Sequence, residues 1–381
     1  MRINIVIGPF YPIPPVLGGA VEKVHLLLAG AYRDAGHQVT MVSRRYADFA
    51  EDELVDGIRH LRIASSDRSS SLLINLGLDL FYSRRVAKAL PPGDITITNG
   101  FFLPLVLPHA RAGKIYVQIG RYPKRQVALY SRADRLQAVS KAVGRAVARQ
   151  APWLAPKVRV IGYAIPGVFF AENADVPRER VVLYVGRIAR EKGIALLLSA
   201  FAMLRERLPA DAFAGWTLRI VGPHRVEQGG DGDEYLAELR ALATKRAVPC
   251  RFIDPIFDEQ ALAAEYRHAS VFVYPSLAET GEALGLAPLE AMAAGCAAVV
   301  SGLQCFADYI EDGITGMAFD HRGSDPAADL AAKLARLIGE PDLLARVATG
   351  GRRAAANFGV APIAARMLDD FRTLLGEREA P

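Results

Sequence analysis

The stretch YPSLAETGEALGLAPLEAMAAG, residues Tyr274–Gly295, decides how the rest of the chain is interpreted. An apolar run that predicts a buried strand ends at Pro275-Ser276, and a loop of small residues, glycines and carboxylates follows. The apolar segment Leu289–Ala294 then predicts a helix, which Gly295 ends. Backbone N–H groups at such a helix start favour phosphate or another anion.

Two glutamates in this stretch, Glu282 and Glu290, are separated by seven residues. Gly285 and Pro288 argue against one continuous helix between them. One glutamate then lies in the loop and the other in the first helical turn, an arrangement in which both carboxylates can face one pocket. The spacing alone fits equally well a helix N-terminus on which the glutamates favour the helix dipole and carry no chemistry.

Length and composition predict a globular protein of two domains. A chain of 381 residues is long enough for two cores, and its 51% apolar and 23% charged residues do not favour disorder. The cysteines Cys250, Cys296 and Cys305 match no metal-ligand spacing and are expected to be reduced thiols of a cytoplasmic protein. Neither a signal peptide nor a membrane span is predicted, because charged residues and glycines interrupt every apolar stretch well before about 20 residues.

Positive charge is concentrated in the first half of the chain. Residues 1–171 hold 23 lysines and arginines against 11 acids, a net charge of +12, whereas the remainder has 23 against 30, a net charge of −7. Between Arg111 and Arg159, 12 basic residues accompany a single acid, Asp134. Such a surface suits an anionic partner such as a membrane, a lipid diphosphate or a nucleic acid, although basic helix faces are often merely solvated.

The first half predicts parallel strands alternating with helices. A strand over 2–8, a helix that opens at Gly18-Gly19 and a strand over 38–43 form a β-loop-α-β unit, and glycines at the helix start let the backbone approach a phosphate. The loop lacks G-x-G-x-x-G, which argues against a nicotinamide site. Asn99 follows a further predicted strand, at the end where open α/β sheets bind ligands.

The second half restarts the same alternation after a loose segment at about 165–180. A strand over 181–186 leads to Gly186-Arg187, and Lys192-Gly193 opens the next helix. Two cations beside free backbone N–H groups make a suitable clamp for a diphosphate, although the same residues also fit a charged surface loop. Asp231-Gly232-Asp233 lies in a glycine-rich loop before an acidic helix, which favours a solvated turn over a metal site.

Taken together, these motifs resemble the family-4 retaining glycosyltransferases. The stretch quoted above is similar to the family's signature of two glutamates separated by seven residues. Gly186-Arg187 with Lys192-Gly193 matches a second motif, and Gly18-Gly19 matches the glycine pair of the family's first loop. The resemblance implies an α/β protein of the GT-B fold, with two Rossmann-like doubly wound domains facing across a cleft. It implies an acceptor-binding domain at 1–170, a donor-binding domain at 171–359, and a C-terminal helix, 360–381, that packs back on the first domain.

The resemblance also implies roles for individual residues. Glu282 would hold hydroxyls of the donor sugar, and Glu290 would hold the ribose. Gln118 stands where many relatives have a histidine, and an amide donates and accepts hydrogen bonds but cannot titrate. The expected catalytic residues are Glu282, Arg187, Lys192 and Gln118; donor contacts are expected at Gly18, Gly19, Gly186, Arg187, Lys192, Asp258, Gly285, Leu286 and Glu290, and acceptor contacts at Asn99 and Arg121.

We therefore predict a metal-independent, retaining glycosyltransferase that uses no cofactor. Its substrate would be a nucleotide sugar, UDP- or GDP-linked, and its acceptor a glycan or a lipid-linked molecule of cell-surface polysaccharide or lipopolysaccharide biosynthesis. The basic first half predicts a cytoplasmic protein that associates peripherally with the anionic inner face of the membrane.

Other functions fit parts of the sequence. A GT-B sugar-nucleotide epimerase would need acid and base partners in the cleft and would leave the basic half unexplained. A transferase with a soluble small-molecule acceptor would need no membrane. A nucleic-acid-binding protein is disfavoured, since no aromatic residues interleave the basic region in an RNA-binding pattern. A catalytically inactive partner subunit is favoured by Gln118 and disfavoured by the intact glutamate pair.

Overall fold

The computed structural model describes residues 1–17, 19–171 and 177–376. Within them the chain divides into two compact units. The N-terminal unit comprises Met1–Ala164 and the segment from Val360 onward, and the C-terminal unit comprises Ile165–Gly359. This division comes six residues before the predicted domain boundary at 170. The predicted donor contact at Gly18 lies outside the described residues.

Parallel strands form the centre of the N-terminal unit. The strands are β1 (Arg2–Val6), β2 (Gln38–Arg44), β3 (Asp52–Val55), β4 (Ile58–Ile63), β5 (Ile95–Thr98), β6 (Lys114–Ile119), β7 (Arg135–Ala138) and β8 (Val158–Val160). The helices before residue 164 are α1 (Ala20–Asp34), α2 (Leu72–Ala89), α3 (Leu103–Val106), α4 (His109–Ala112) and α5 (Lys141–Gln150).

In the described residues these strands form one eight-stranded sheet in the order β3-β4-β2-β1-β5-β6-β7-β8. Every neighbouring pair is parallel except β3 with β4, which are antiparallel. The sequence analysis missed β3, because an exposed edge strand of four residues needs no apolar run. The central strands β1, β5, β6 and β7 are buried along almost their whole length, since helices cover both faces of a parallel sheet.

The C-terminal unit has a second parallel sheet. Its strands are β9 (Glu179–Val185), β10 (Thr217–Val221), β11 (Cys250–Ile253), β12 (Ala269–Tyr274), β13 (Ala297–Ser301) and β14 (Met317–Phe319). Its helices are α6 (Ile194–Arg207), α7 (Ala210–Phe213), α8 (Gly232–Lys245), α9 (Glu259–His268), α10 (Leu286–Ala293), α11 (Pro326–Gly339) and α12 (Pro341–Ala356).

The strand order of the second sheet indicates the edge at which sheets of this kind bind ligands. The order is β11-β10-β9-β12-β13-β14, which is the 3-2-1-4-5-6 order of the dinucleotide-binding Rossmann sheet. The order reverses between β9 and β12. Open α/β sheets bind ligands in the crevice that such a reversal leaves at the carboxyl ends of the strands.

The last helix, α13 (Val360–Leu375), belongs to the N-terminal unit. Its Asp370 is buried, pairs with Arg135 at 2.8 Å and accepts a hydrogen bond from the Tyr116 hydroxyl at 2.9 Å. The ring of Phe371 packs edge-on against Tyr116, with ring centres 5.0 Å apart. A buried carboxylate satisfied by two strands therefore fixes α13 on the sheet.

We predict that acid destabilises the N-terminal unit through His25 on α1. The side chain is buried, its Nδ1–H donates to the Val21 carbonyl oxygen at 2.9 Å, and its Nε2 has no partner among the described residues. Burial lowers the pKa of His25 from 6.5 to about 4. Between pH 6.5 and about 4 the unfolded chain therefore binds a proton at His25 that the folded chain does not. The free energy of unfolding falls by roughly 3 kcal/mol as the pH is lowered through this range.

Denaturant unfolding of the wild type and of His25→Leu, each at neutral pH and near pH 5, measures this contribution. The leucine variant should lose less stability on acidification than the wild type, because it has no imidazole to protonate. Equal losses in the two proteins would show that His25 does not carry the acid sensitivity.

Candidate functional site

The candidate site is formed by the loops that leave β9 and β12. The first runs from Gly186 to Gly193 and the second from Pro275 to Gly285. The Leu277 N–H donates to the Glu191 carbonyl oxygen at 2.7 Å and joins the two loops. Gly193 has a left-handed φ of +68°, and a β-carbon there would collide with the Pro275 carbonyl oxygen. Glycine is therefore needed for the loops to lie this close.

A buried ion pair lies where these loops meet. Lys192 is 4% exposed and Glu282 is 7% exposed, and the lysine ammonium contacts Glu282 Oε1. The same oxygen accepts hydrogen bonds from the Tyr274 hydroxyl at 3.1 Å and from Ser276 Oγ at 3.0 Å. The ammonium also lies 5.5 Å from the centre of the Tyr274 ring. These contacts offset part of the cost of removing both charges from water.

Glu282 has one oxygen available for another partner. All three donors reach Oε1, and Oε2 accepts no hydrogen bond from the described residues. Burial, reinforced by the charge of Glu282, holds the pKa of Tyr274 well above its ordinary value, and the same causes act on Tyr184. Tyr274 therefore stays protonated and orients the carboxylate. A carboxylate held by one oxygen and open at the other suits hydrogen bonds from the hydroxyls of a ligand.

Glu191 connects the two predicted clamp cations. The Arg187 guanidinium donates to Glu191 Oε1 at 2.7 Å and to the Gly229 carbonyl oxygen at 2.6 Å. Lys192 Nζ lies 3.7 Å from the same Glu191 oxygen. A diphosphate that binds both cations would have to displace this carboxylate. The sequence analysis missed this role of Glu191, because it took the residue only as part of a charged loop.

Glu290 lies in the second turn of α10, not in the first as predicted. The helix begins at Leu286, before the start predicted at Leu289. Pro288 does not interrupt it, because the N–H groups of the first turn have no partners within the helix in any case. Glu290 accepts a hydrogen bond from the Tyr266 hydroxyl at 3.1 Å. Gly285 precedes the helix at φ +79°, and a β-carbon there would lie 2.6 Å from the Phe306 ring. The predicted donor contacts Gly285 and Leu286 therefore lie at the helix start.

The other predicted donor contacts of this unit have different surroundings. Gly186 follows β9 and lies beside Gly222, where a β-carbon would collide with the Gly186 carbonyl oxygen. Asp258 is exposed and caps α9, since its carboxylate accepts from the Ala261 N–H at 2.7 Å. A carboxylate already used as a helix cap is less available to a nucleotide base, and the contact predicted for Asp258 stays a prediction.

In the N-terminal unit, Gln118 presents an unsatisfied acceptor. Gln137 donates its amide to the Ile161 carbonyl oxygen at 2.8 Å, so its own Oε1 must be an acceptor. Gln118 donates to that oxygen at 3.2 Å, which fixes which atom of the Gln118 amide is oxygen. Gln118 is 4% exposed, and its Oε1 has no partner among the described residues. The amide thus offers an acceptor to a ligand that donates a hydrogen bond.

The predicted acceptor contacts lie at the same end of this sheet. Asn99 follows β5 and Gln118 is near the end of β6, and the pairing of Thr98 with Val117 places them side by side. The Asn99 Oδ1 atom is also buried without a partner among the described residues. Arg121 follows β6 and is exposed. Three of the predicted residues are therefore brought together by two adjacent strands.

Gly19 is the remaining predicted donor contact, and a carboxylate of the chain lies against it. Gly19 precedes α1 at φ +107°, and a β-carbon there would collide with the Glu22 carboxylate. Glu22 is 7% exposed, and burial raises its pKa, which the charge of Arg121 partly opposes. A phosphate at this helix start would therefore meet Glu22, which the sequence analysis did not single out.

The basic run Arg111–Arg159 does not form one free surface. Arg135 is buried against Asp370, and the Lys157 ammonium donates to two carbonyl oxygens. Basic residues of the run that contact acceptors of their own unit include Arg111, Lys114, Arg132, Arg135, Lys157 and Arg159. Part of the positive charge that the sequence suggested for a partner therefore holds the fold.

Among the described residues, no cluster of three or more histidine, cysteine, aspartate or glutamate side chains is arranged to hold a metal ion. Within the same part of the chain, every helix is too short or too polar to cross a bilayer.

Comparison with known proteins identifies the family. Residues 168–354 match the family model described as glycosyl transferases group 1, and this range lies within the C-terminal unit and includes both site loops. The chain contains a group 1 glycosyltransferase domain. It is 28% identical to a phosphatidyl-myo-inositol mannosyltransferase of Mycolicibacterium smegmatis over 99% of this chain and 95% of that protein. A D-inositol 3-phosphate glycosyltransferase of Salinispora arenicola is 36% identical over 48% of this chain and 38% of that protein.

The fold of this glycosyltransferase is GT-B. Sucrose-phosphate synthase from Thermosynechococcus elongatus matches 99% of this chain and 100% of its own with a TM-score of 0.75. The two sequences are 22% identical, so this likeness concerns the fold alone. The family and the fold predicted from the paired glutamates are confirmed, and the roles of the individual site residues stay predictions.

We predict that removing either cation, Arg187 or Lys192, weakens the binding of a nucleoside diphosphate, and that neutralising Glu191 strengthens it. Arg187→Ala and Lys192→Met each remove a charge-assisted contact and should weaken binding by about 2 kcal/mol. Glu191→Gln removes the competing carboxylate and should tighten binding. Calorimetric titration of UDP and GDP into each variant measures these shifts.

Arg190→Ala is the matched control, because this arginine lies in the same loop but pairs with Glu238 at 2.7 Å and lies over the Tyr235 ring. Its affinity should equal that of the wild type. Since Lys192→Met leaves Glu282 without its cation, circular dichroism must show that this variant is folded. Equal losses in the Arg190 and Arg187 variants would contradict the assignment.

Proposed function

We propose that the glycosyltransferase is a retaining enzyme that takes its sugar from a UDP- or GDP-linked donor, without a cofactor or a bound metal. The observation that carries this proposal is the buried Lys192–Glu282 pair at the strand reversal of the second sheet, with Arg187 beside it. The carboxylate of the pair suits the hydroxyls of a sugar, and the cation suits a diphosphate. The sugar and the diphosphate are the two groups joined by the bond that a glycosyltransferase breaks in its donor.

The leaving group determines what the C-terminal unit contributes. Breaking the bond between the anomeric carbon and the diphosphate places negative charge on phosphate oxygens and positive charge on the sugar ring. Lys192 and Arg187 stabilise the phosphate charge, and Glu282 Oε2 orients the sugar through its hydroxyls. Glu290, held by Tyr266, accepts hydrogen bonds from the ribose. Fixed charges in a site that excludes water stabilise the transition state more than water does.

Retention follows from attack on the face that the diphosphate leaves. The oxygen of the acceptor hydroxyl forms the new bond to the anomeric carbon, and its proton passes to the departing phosphate. No residue is assigned as a covalent nucleophile. Gln118 Oε1 and Asn99 Oδ1, which are both buried acceptors, are proposed to bind hydroxyl groups of the sugar or of the acceptor molecule.

We propose a phosphorylated, lipid-linked acceptor at the anionic inner face of the cytoplasmic membrane. The basic composition of residues 1–171, with a net charge of +12, supports it. The likeness to a phosphatidyl-myo-inositol mannosyltransferase over nearly the whole chain supports a lipid that carries an inositol phosphate head. Cell-surface polysaccharide and lipopolysaccharide precursors are lipid-linked acceptors of the same general kind.

A soluble inositol phosphate is the second candidate acceptor. The likeness of about half of this chain to a D-inositol 3-phosphate glycosyltransferase favours it. The family match favours transfer over the epimerase alternative.

The contacts proposed for the donor predict that substitution of the two glutamates affects ligand affinity differently. Glu290→Gln should weaken the binding of a nucleoside diphosphate and of its sugar conjugate alike, because the ribose is common to both. Glu282→Gln should weaken only the sugar conjugate. Calorimetric titration of UDP, GDP, UDP-glucose and GDP-mannose into both variants and the wild type measures this. Identical profiles for the two variants would contradict the assigned contacts, and no binding of any of these ligands to the wild type would overturn the proposed function.

Product analysis then tests the reaction itself. The bound donor is incubated with phosphatidylinositol or with inositol 3-phosphate, in the presence and absence of EDTA, and the anomeric configuration of the product is read by NMR. Retention, insensitivity to EDTA and preference for the lipid are expected. Inversion of configuration or loss of activity with EDTA would contradict the corresponding part of the proposal.

We also predict that transfer depends on Gln118 while nucleotide affinity does not. Gln118→Leu removes the free acceptor and leaves Gln137 Oε1 without its donor, so the transfer rate should fall by about tenfold or more. Gln118→His should keep part of the rate and add a pH dependence near the imidazole pKa of about 6.5, which an amide cannot show. Rate–pH profiles of the three proteins, with UDP and GDP titrations as the control, measure this. An unchanged rate in the leucine variant would remove Gln118 from the reaction.

A further inference from the structure

Helix α2 turns apolar side chains towards the solvent. Leu72, Leu73, Ile74 and Phe81 are 72%, 80%, 54% and 60% exposed. Single exposed apolar residues are common on proteins. Ile74 and Phe81, however, are seven residues apart and lie on one side of this 18-residue helix, with Leu73 next to Ile74, and this apolar patch calls for an explanation. The patch lies on the first turn and the middle of the helix.

The opposite side of α2 is buried in the N-terminal unit. Asp79, Tyr82, Ser83 and Val86 are buried, and the helix packs against α3 and β4. Asp79 accepts a hydrogen bond from the Phe102 N–H at 2.9 Å. The helix therefore has its own inward-facing side, and the exposed apolar residues are additional to it rather than displaced core residues.

Basic residues continue the exposed side of α2. Ile74, Gly77, Phe81, Arg84 and Lys88 follow one another at intervals of three or four residues, so they form one stripe along the helix. The stripe is apolar in the first half of the helix and cationic in the second. The only acid in α2 is Asp79, which points inwards, so no carboxylate of the helix neutralises the stripe.

We propose that the outer side of α2, from Leu73 to Lys88, docks on an anionic phospholipid membrane. The proposal rests on the lipid-linked acceptor of the proposed function and assigns the contact to a particular helix. Leu73, Ile74 and Phe81 enter the boundary between head groups and acyl chains, and Arg84 and Lys88 bind lipid phosphates. Helix α2 then lies in the plane of the membrane and does not cross it.

The charge of the stripe argues for a membrane rather than a second copy of the chain. In a two-fold symmetric pair the stripe meets a second copy of itself, which offers no acid of α2 to pair with Arg84 and Lys88. An anionic bilayer complements both halves of the stripe, since phosphates match the cations and acyl chains match the apolar residues.

The structure favours α2 over the basic run at 111–159 that the sequence analysis assigned to the membrane. Several cations of that run contact acceptors of their own unit, as described above. Helix α5 in the run has the exposed pair Arg145 and Arg149, but its hydrophobic residues are buried. It therefore lacks the apolar component that anchors a peripheral protein when salt screens its charges.

Vesicle flotation of the full chain tests the assignment. Vesicles of phosphatidylcholine alone are compared with vesicles that also contain phosphatidylglycerol, at low and high salt. The wild type should bind the anionic vesicles and keep part of its binding at high salt. Ile74→Ser/Phe81→Ser and Arg84→Glu/Lys88→Glu should each reduce the partition coefficient by about tenfold or more.

Two matched controls separate this surface from general effects. Leu54→Ser changes an equally exposed apolar residue on β3, which is 73% exposed, and Arg145→Glu/Arg149→Glu reverses two cations with the same spacing on α5. Both should bind as the wild type does. Equal loss in the α5 variant, or unchanged binding in the α2 variants, would overturn the assignment to α2.

Nucleotide titration keeps this test independent of the proposed function. The α2 variants should retain the UDP or GDP affinity of the wild type, which also shows that they are folded. A wild type that binds vesicles but no nucleotide would overturn the proposed function and leave the docking surface standing. A wild type that binds no vesicles, but forms dimers that the α2 variants do not form, would assign the surface to a second copy of the chain.

Discussion

A lysine ammonium and a glutamate carboxylate, Lys192 and Glu282, are both removed from water at the point where the second sheet reverses its strand order. Neither charge is stable there without the other, because leaving one partner of a buried pair uncompensated typically costs about 3–5 kcal/mol. The surrounding structure therefore has to hold both. Tyr274 and Ser276 donate to the carboxylate, and Gly193 allows the two loops to approach each other.

The same constraint explains why the pair suits chemistry as well as structure. Three donors converge on one carboxylate oxygen, so the other oxygen is left for a ligand. Glu191 accepts from Arg187 and lies near Lys192, so a carboxylate of the chain occupies the position that a phosphate bound to both cations would take. A phosphate would have to displace Glu191, whereas the Glu282 carboxylate is already fixed by its own three donors.

The N-terminal unit uses neutral groups in the corresponding position at the end of its sheet. Gln137 fixes the orientation of Gln118, and the oxygen that remains is buried without a partner among the described residues. Such an atom is destabilising unless a ligand donates to it. One unit therefore offers charges that match a diphosphate, and the other offers amide oxygens that match hydroxyl groups.

The sequence by itself determined the family and the fold, and it predicted which positions form the candidate site. Strand and helix periodicity, the glutamates of the Tyr274–Gly295 stretch and the Gly186-Arg187 and Lys192-Gly193 pairs are local patterns, and local patterns can be read without coordinates. The tertiary structure decided which groups meet. Lys192 and Glu282 are 90 residues apart in sequence, and the orientation of Gln118 depends on Gln137 and Ile161 of other segments. The contacts of Glu191 with Arg187 and of Glu22 with Gly19 are close in sequence, but they depend on the backbone conformation of their loops. The tertiary structure also decided which basic residues hold the fold and which side of α2 faces the solvent, because burial is a property of the packed chain and not of any segment of it.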